Sequence, residues 1–136
     1  MKITISVNVE RPIDEVWVAY TSPEHIVGWN FASDDWHTTR SEVDLRVGGS
    51  FSSRMEAKDG SAGFDFAGIY TKVVVYELLE YEFGDRLASV TFTRDRAGTS
   101  VEVSFDTEDE NSVELQRQGW QAILDNFKKY AESPML

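Results

Sequence analysis

The chain has 136 residues, contains no cysteine and carries a formal net charge of −11. The absence of cysteine excludes disulfides, thiol catalysis and thiolate metal sites, and the negative charge disfavours nucleic acids and anionic membranes as partners. Residues 1–12 alternate and do not form the apolar run of a signal peptide, and no segment approaches the length of a membrane span, so we expect one cytoplasmic domain over residues 1–136 without membrane insertion.

The first part of the chain predicts a strand and two short helices. Residues 2–10 alternate between apolar and polar side chains, which is typical of a half-buried strand. Pro12 fits the first position of a helix, and the Ser-Pro-Glu sequence at 22–24 predicts a second short helix that runs to about Trp29. Residues 30–40 are polar and aromatic without periodicity, which predicts a loop.

The middle of the chain predicts about six strands joined by hairpins, the first of them near residues 41–46. Apolar and polar side chains alternate along these strands, as an antiparallel sheet with one covered face requires. The unbroken apolar run Val73–Val75 predicts a β-bulge nearby, where the inward face of the strand switches. Turn sequences lie at residues 48–49, 59–63, 84–85 and 95–98.

Residues 111–132 predict one long amphipathic helix. Its large apolar side chains recur at helical spacing from Trp120 onward and form one stripe, while the opposite face is polar. Asn111 is the predicted N-cap, with Glu114 reaching back as in a capping box. Pro134 prevents the helix from continuing.

A glycine in the middle of this helix is unusual, because it costs about 1 kcal/mol relative to alanine. Gly119 precedes Trp120 on the predicted apolar stripe. We therefore expect a close neighbour at Gly119, either a strand or a ligand, with strand packing as the preferred explanation.

The order of elements predicts an α+β fold, because helices are segregated on one side of an antiparallel sheet. A curved sheet of about six or seven strands around a long C-terminal helix leaves a concave apolar space, and such spaces are the usual sites for small molecules. We expect a void of several hundred Å³ that a set of aromatic residues lines together, although for any single one of them simple core packing is the preferred explanation. The candidate ligand-binding residues are Trp29, Phe31, Trp36, Arg54, Met55, Phe66, Tyr81, Phe92, Trp120 and Leu124.

The residue types within this set suggest different roles in the cavity. Trp29, Phe31 and Trp36 are expected to close the mouth of the cavity, and Tyr81 and Arg54 to offer polar contacts. A structural alternative exists for the strand arginines, since a partly buried guanidinium needs a carboxylate partner. Arg46 and Arg54 would then pair with Asp44 or Asp65, which is the preferred explanation.

Few residues offer catalytic or metal chemistry. His25 and His37 are the only histidines, and neither has the spacing of a metal-binding motif. His37 with Asp34 or Asp35 is the one legible acid–base group, although a solvated polar loop explains the same residues. We therefore expect no metal, no cofactor and no catalytic residue, and a binding protein rather than an enzyme.

Four segments together resemble a known family. They read PIDEVWVAYTSPEHIVGW, DLRVGGSF, FAGIYTKVV and QRQGWQAILDNFKKY, and they cover the chain in order. They are similar to the START-like (SRPBCC) superfamily, in the branch named after the C-terminal domain of the activator of the heat-shock chaperone ATPase. The resemblance implies the helix-grip fold, also seen in the birch-pollen allergen, in which a curved antiparallel sheet holds a C-terminal helix over a hydrophobic cavity.

The resemblance implies several functions, because relatives include lipid carriers, plant hormone receptors, polyketide cyclases and co-chaperone domains. The first hypothesis is binding of a small apolar or aromatic molecule between the sheet and the final helix. The second is a module that interacts with a chaperone or another protein, and the third is an enzyme of the cyclase or hydratase kind. The chain is expected to be a monomer or a homodimer.

Overall fold

The computed structural model describes residues 1–133, and its elements follow the predicted order of one strand, two short helices, six strands and one long helix. Pro134, the predicted helix stop, lies outside the described residues. The elements are β1 (Lys2–Val9), α1 (Ile13–Thr21), α2 (Pro23–Ile26), β2 (Trp36–Val43), β3 (Ser50–Ala57), β4 (Gly63–Val74), β5 (Leu78–Phe83), β6 (Arg86–Asp95), β7 (Gly98–Asp106) and α3 (Val113–Ala131).

The strands form one curled antiparallel sheet in the order β1-β7-β6-β5-β4-β3-β2. Strands β2 to β7 pair with their neighbours in sequence, and β1 adds to the far side of β7. The sheet and the helices confirm the predicted α+β, helix-grip architecture. The register between β4 and β5 shifts between Tyr70 and Lys72, which confirms a bulge near Val73.

Helix α3 packs its apolar stripe against the concave face of the sheet. Leu124, Phe127 and Ala131 are buried there, as their spacing predicts. Three polar side chains of α3 also donate hydrogen bonds to alternate carbonyl oxygens of β1, which covers that edge of the sheet. The pairs are Arg117 with Thr4 (3.5 Å), Gln121 with Ser6 (3.4 Å) and Lys128 with Asn8 (2.5 Å).

The predicted loop over residues 30–40 is wrong in its second half. Strand β2 begins at Trp36, five residues before the predicted start, and pairs with β3 from Trp36↔Ala57 onward. A register shift between Thr38 and Arg40 breaks the alternation of side chains. Because of this irregularity, the first half of the strand lacks the period of two by which a strand is recognised in a sequence.

The helix boundaries also differ from prediction at their first residues. Ser112, not Asn111, is the N-cap of α3, and its hydroxyl accepts a hydrogen bond from the Leu115 backbone N–H at 3.1 Å. Glu114 is therefore one residue too early for a capping box. Pro12 is the N-cap of α1 rather than its first helical residue, and α2 ends at Ile26 rather than near Trp29.

Close packing does not explain the glycine in α3. A Cβ atom added to Gly119 would meet no atom within 4 Å among the described residues. The expected strand neighbour is therefore absent there. Tight contacts occur at other glycines, such as Gly28, where an added Cβ would stand 2.4 Å from Cε1 of Tyr130.

Candidate functional site

A cavity of about 270 Å³ lies between the concave face of the sheet, the first two helices and α3. Its volume is slightly below the range of about 300 to 1,000 Å³ that small-molecule sites usually occupy. Its lining draws on all ten of the elements described above and on the segment after α2. The lining residues are Ile5, Tyr20, Ile26, Trp29, Asn30, Ser41, Val43, Phe51, Ser53, Met55, Phe64, Phe66, Tyr70, Leu79, Tyr81, Arg86, Val103, Trp120, Ile123 and Leu124.

Aromatic contacts hold the wall of the cavity in place. Trp120 stacks on Phe105 with the ring centroids 4.0 Å apart and the planes 6° from parallel. Its ring also meets the edge or face of Phe66 and Phe83, at 6.2 and 5.7 Å. Because β7, β4 and β5 each contribute one of these rings, the indole of α3 is fixed against the sheet from three sides.

A second aromatic cluster fills the core next to the cavity. Tyr20 and Trp29 contact each other and both contact Phe127, with centroid distances of 4.9 to 5.0 Å. The Trp29 indole N–H donates to the Ala19 carbonyl oxygen at 2.9 Å, which leaves its ring as an apolar surface. Trp29 is therefore a buried part of the cavity wall rather than a residue that closes its mouth.

Three tyrosine hydroxyls in the lining have no protein partner. In the part of the chain that the structure describes, no hydrogen bond engages the hydroxyls of Tyr20, Tyr70 or Tyr81. Burial raises the pKa of Tyr70 to about 12 and also raises the pKa values of Tyr20 and Tyr81, where neighbouring tyrosines add to the effect. All three therefore stay protonated at physiological pH and can donate hydrogen bonds into the cavity.

Arg86 is the charged residue of the lining. It is the first residue of β6 and shares the inner face of that strand with Ala88 and Val90, which are buried. Its guanidinium carbon lies 4.4 Å from the centroid of the Phe83 ring. No carboxylate within residues 1–133 forms an ion pair or a hydrogen bond with it.

Six of the ten residues predicted for the site line this cavity. Whether they bind a ligand stays a prediction, but the structure brings them together from α3, three strands and the segment after α2. They are Trp29, Met55, Phe66, Tyr81, Trp120 and Leu124.

The other four predicted residues lie outside the lining. Trp36 packs on Phe64, with the ring centroids 5.9 Å apart. Phe64 is the most exposed apolar residue of the lining, so Trp36 lies beside the rim of the cavity. Phe31 is half-buried, and its carbonyl oxygen accepts a hydrogen bond from Asn126 Nδ2 at 2.5 Å. Phe92 is buried against the rings of Trp17 and Tyr20, next to the cavity rather than on its surface.

Arg54 is wrong as a polar contact of the cavity. On β3 it alternates with Ser53 and Met55, which face inward, so its side chain lies on the opposite face. There it forms ion pairs with Glu56 at 3.0 Å and Asp65 at 3.8 Å. The structural alternative is therefore correct for Arg54, and an ion pair at 2.9 Å between Arg46 and Asp44 agrees with it as well.

The candidate acid–base group does not lie in the cavity. His37 is in register with Glu56, on the face of β2 and β3 that points away from Met55. Asp34 and Asp35 are exposed in the segment before β2. The hypothesis of a catalytic His37 required this histidine and an aspartate to meet inside the cavity, and it therefore loses its support.

The sequence reasoning missed Arg86, Tyr20 and Tyr70. Arg86 stands two residues before Ala88 and four before Val90, so the period of two that placed Val90 inward also places Arg86 inward. Tyr70 lies on the inner face of β4 with Phe64 and Phe66, and the bulge that follows it interrupts the alternation of side chains. Tyr20 follows Trp17 by one helical turn on α1, and this spacing carries no distinction between core and cavity.

Residues 10–132 match the family described as Activator of Hsp90 ATPase homolog 1-like protein. The chain belongs to this family. Among solved structures, the AHSA1-like protein from Aeromonas hydrophila is 48% identical with a TM-score of 0.92, over 97% of this chain and 92% of that one. A search of the curated proteins found no match.

Two further structures show how widely the fold extends beyond close sequence similarity. A protein from Cytophaga hutchinsonii is 45% identical with a TM-score of 0.83, over 96% of this chain and 92% of that one. A protein from Chromobacterium violaceum keeps a TM-score of 0.84 at 22% identity, over 98% of this chain and 99% of that one, which shows the fold alone. The Hsp90 ATPase activator-like fold often serves hydrophobic ligand binding or action with a chaperone.

None of the helices described here is long and apolar enough to cross a membrane.

Proposed function

We propose that this protein binds a small apolar or aromatic molecule in the cavity beneath α3. The observation that supports the proposal is a void of about 270 Å³ whose walls are mainly apolar and aromatic side chains. An apolar cavity of about 150 Å³ is enough to hold benzene, so this one has room for a two-ring compound. The absence of cysteine is compatible with action in the reducing cytoplasm.

The shape of the site favours binding over a merely imperfect core. Trp120 is held in place by its stack on Phe105, and Trp29 by its hydrogen bond to Ala19, so neither wall can relax inward easily. Voids in protein cores are usually few and small because side chains interdigitate at high density. A wall that is rigid and concave before binding loses little conformational entropy when a ligand enters.

The test uses a neutral two-ring probe, 2-naphthamide, and isothermal titration calorimetry. Ser53 lines the cavity, whereas Ser52 is its neighbour on the opposite face of β3. Ser53→Phe places a ring in the void and should abolish binding, while Ser52→Phe adds the same ring outside it and should leave the affinity unchanged. Circular dichroism checks that both variants fold. Equal binding by Ser53→Phe, or no binding by the unaltered protein, would refute the proposal.

A search for a natural ligand complements this titration. Protein purified from its host is denatured, and the released small molecules are analysed by mass spectrometry. The proposal expects an apolar or aromatic compound that is released by the unaltered protein and not by Ser53→Phe. The same compound recovered equally from both would show that it does not occupy the cavity.

A second candidate function is interaction with a chaperone. Three consecutive apolar residues, Val74, Val75 and Tyr76, are at least 40% exposed at the turn between β4 and β5, and Tyr76 has a positive φ of 68°. The edge of the Tyr76 ring meets Trp17 at 6.1 Å, which holds the turn in this conformation. Exposed apolar residues next to each other are a feature of protein-binding surfaces.

This second candidate is tested with the host's purified Hsp90-class chaperone. If the turn binds the chaperone, the protein should change the chaperone's ATPase rate, and Val75→Ser should reduce that effect. Val47→Ser, at another exposed valine, is the matched control. An ATPase rate that the protein leaves unchanged at micromolar concentration would exclude this function.

A further inference from the structure

The charge that lines the cavity is opposite in sign to the net charge of the chain. The sequence has 24 acidic and 13 basic residues, yet no aspartate or glutamate is among the lining residues that the structure describes. The single charged side chain there is Arg86, a cation. In a chain with such an excess of carboxylates, a cation on a concave wall free of carboxylates gives the cavity the opposite sign from the surface.

The guanidinium of Arg86 is positioned but not neutralised. Its contact with the Phe83 ring holds the group at the wall, since a cation is attracted to the face of an aromatic ring. A phenyl ring has no oxygen acceptor, so this contact uses none of the five N–H donors of the guanidinium for a hydrogen bond to oxygen. These donors therefore have capacity for a carboxylate, which arginine binds in a two-pronged geometry.

The tyrosine hydroxyls complement this cation. Tyr81 is close enough to Arg86 for the positive charge to oppose the rise of its pKa, although burial has the larger effect. Tyr20, Tyr70 and Tyr81 all line this cavity, and the first two also raise the pKa of Tyr81. Neutral phenol hydroxyls can donate to an anion, and none of the three has a partner in the described protein.

We propose that the natural ligand is an apolar or aromatic molecule that carries one carboxylate or similar anionic group, bound by Arg86. The inference rests on the proposed ligand-binding function and names the chemical class of the ligand. The apolar walls formed by Trp120, Phe66 and Leu124 would enclose the body of the molecule. The alternative for Arg86 is a purely structural contact with Phe83, and the experiment distinguishes the two.

The experiment compares two probes of nearly equal size and shape by isothermal titration calorimetry near neutral pH. The first is 2-naphthoate, which carries a carboxylate, and the second is the neutral amide 2-naphthamide. Because the chain is strongly negative, nonspecific attraction to its surface cannot favour the anionic probe. Hydrogen bonds to a charged group predict that the unaltered protein binds 2-naphthoate about tenfold or more tightly than 2-naphthamide.

Three variants assign the preference to one residue. Arg86→Gln removes the charge and should abolish the preference for 2-naphthoate, so that the variant binds the two probes with affinities within about twofold of each other. Arg86→Lys keeps the charge without the planar group and should give an intermediate preference. Arg94→Gln changes the net charge equally, at an exposed arginine near the other end of β6, and should behave as the unaltered protein.

Each outcome separates this inference from the function on which it rests. Binding of both probes with equal affinity, or a preference that survives Arg86→Gln, would overturn the anionic ligand and leave the proposed function intact. If neither probe binds, both proposals fall. If Arg86→Gln does not fold, the comparison of Arg86→Lys with Arg94→Gln decides, because a preference unchanged in Arg86→Lys would contradict guanidinium recognition.

Discussion

The indole of Trp120 lies flat on the ring of Phe105, with the centroids 4.0 Å apart and the planes nearly parallel. This stack joins α3 to β7 at a residue that also lines the cavity. Phe105 itself is fully buried, so its ring acts as the support of the cavity wall. The relationship explains how one helix can cover a void without collapsing into it.

Replacement of Phe105 by leucine should therefore affect both stability and the cavity. Phe105→Leu keeps most of the volume but removes the stack, which should lower the free energy of unfolding by about 1 kcal/mol or more. Urea denaturation followed by tryptophan fluorescence measures this change. Leu115→Ala, at an exposed position of α3, is the control and should change the free energy of unfolding by less than about 0.5 kcal/mol. Equal effects of the two changes would contradict a supporting role for Phe105.

Gly119→Ala should stabilise the protein. The position is in the interior of α3, and an added Cβ meets no described atom within 4 Å. Alanine is favoured over glycine in a helix by about 1 kcal/mol, so the free energy of unfolding should rise by roughly that amount. Thermal denaturation by circular dichroism would show the gain. A lower melting temperature would mean that Gly119 has a close neighbour after all.

Gly28→Ala should have the opposite effect. Its Cβ would stand 2.4 Å from the Tyr130 ring, which is held by a 2.7 Å hydrogen bond between its hydroxyl and His25 Nδ1. We expect a loss of about 1 to 3 kcal/mol, as is usual for overpacked sites. The cost should shrink in a Tyr130→Ala background, where the ring is absent. The same cost in both backgrounds would place the conflict elsewhere.

Ser112→Ala tests which residue begins α3. Loss of an N-cap hydroxyl that accepts a backbone hydrogen bond costs about 1 kcal/mol. Asn111→Ala removes only an exposed side-chain hydrogen bond to Glu108, so it should cost less. Urea denaturation of the two variants compares them directly. A larger loss for Asn111→Ala would restore the cap predicted from the sequence.

Tyr70→Phe should reduce the loss of stability in alkaline solution. The Tyr70 phenol has its ordinary pKa of 10 when unfolded and a pKa of about 12 when folded, so its contribution is fully present below pH 10 and is lost as pH rises toward 12. Near pH 11 the unfolded form gains about 1.4 kcal/mol from ionisation of this phenol alone. Denaturation at neutral and alkaline pH shows how the free energy of unfolding changes with pH in the unaltered protein and in Tyr70→Phe. Parallel slopes would show that Tyr70 is not shielded from water.

The sequence reasoning succeeded wherever burial has a regular period. On β5 the apolar Leu79 and Tyr81 alternate with Glu80, and on α3 Leu124 and Phe127 recur at helical spacing, so both patterns indicate which face is covered. It failed where the period breaks, as at the shift between Thr38 and Arg40 that hides the start of β2.

The sequence by itself determined the order of elements, the antiparallel sheet and the apolar stripe of the last helix, because these follow from local periodicity and turn chemistry. Only the tertiary structure decided that Met55 faces the void while Phe92 is packed beside it, since both have the same inward parity on their strands. Curvature of the sheet sets that difference, and it depends on contacts between strands far apart in sequence. The choice of Arg86 over Arg54 as the cation of the cavity follows instead from strand alternation, because Arg86 shares the inner face with Ala88 and Val90 whereas Arg54 alternates with the inward-facing Ser53 and Met55.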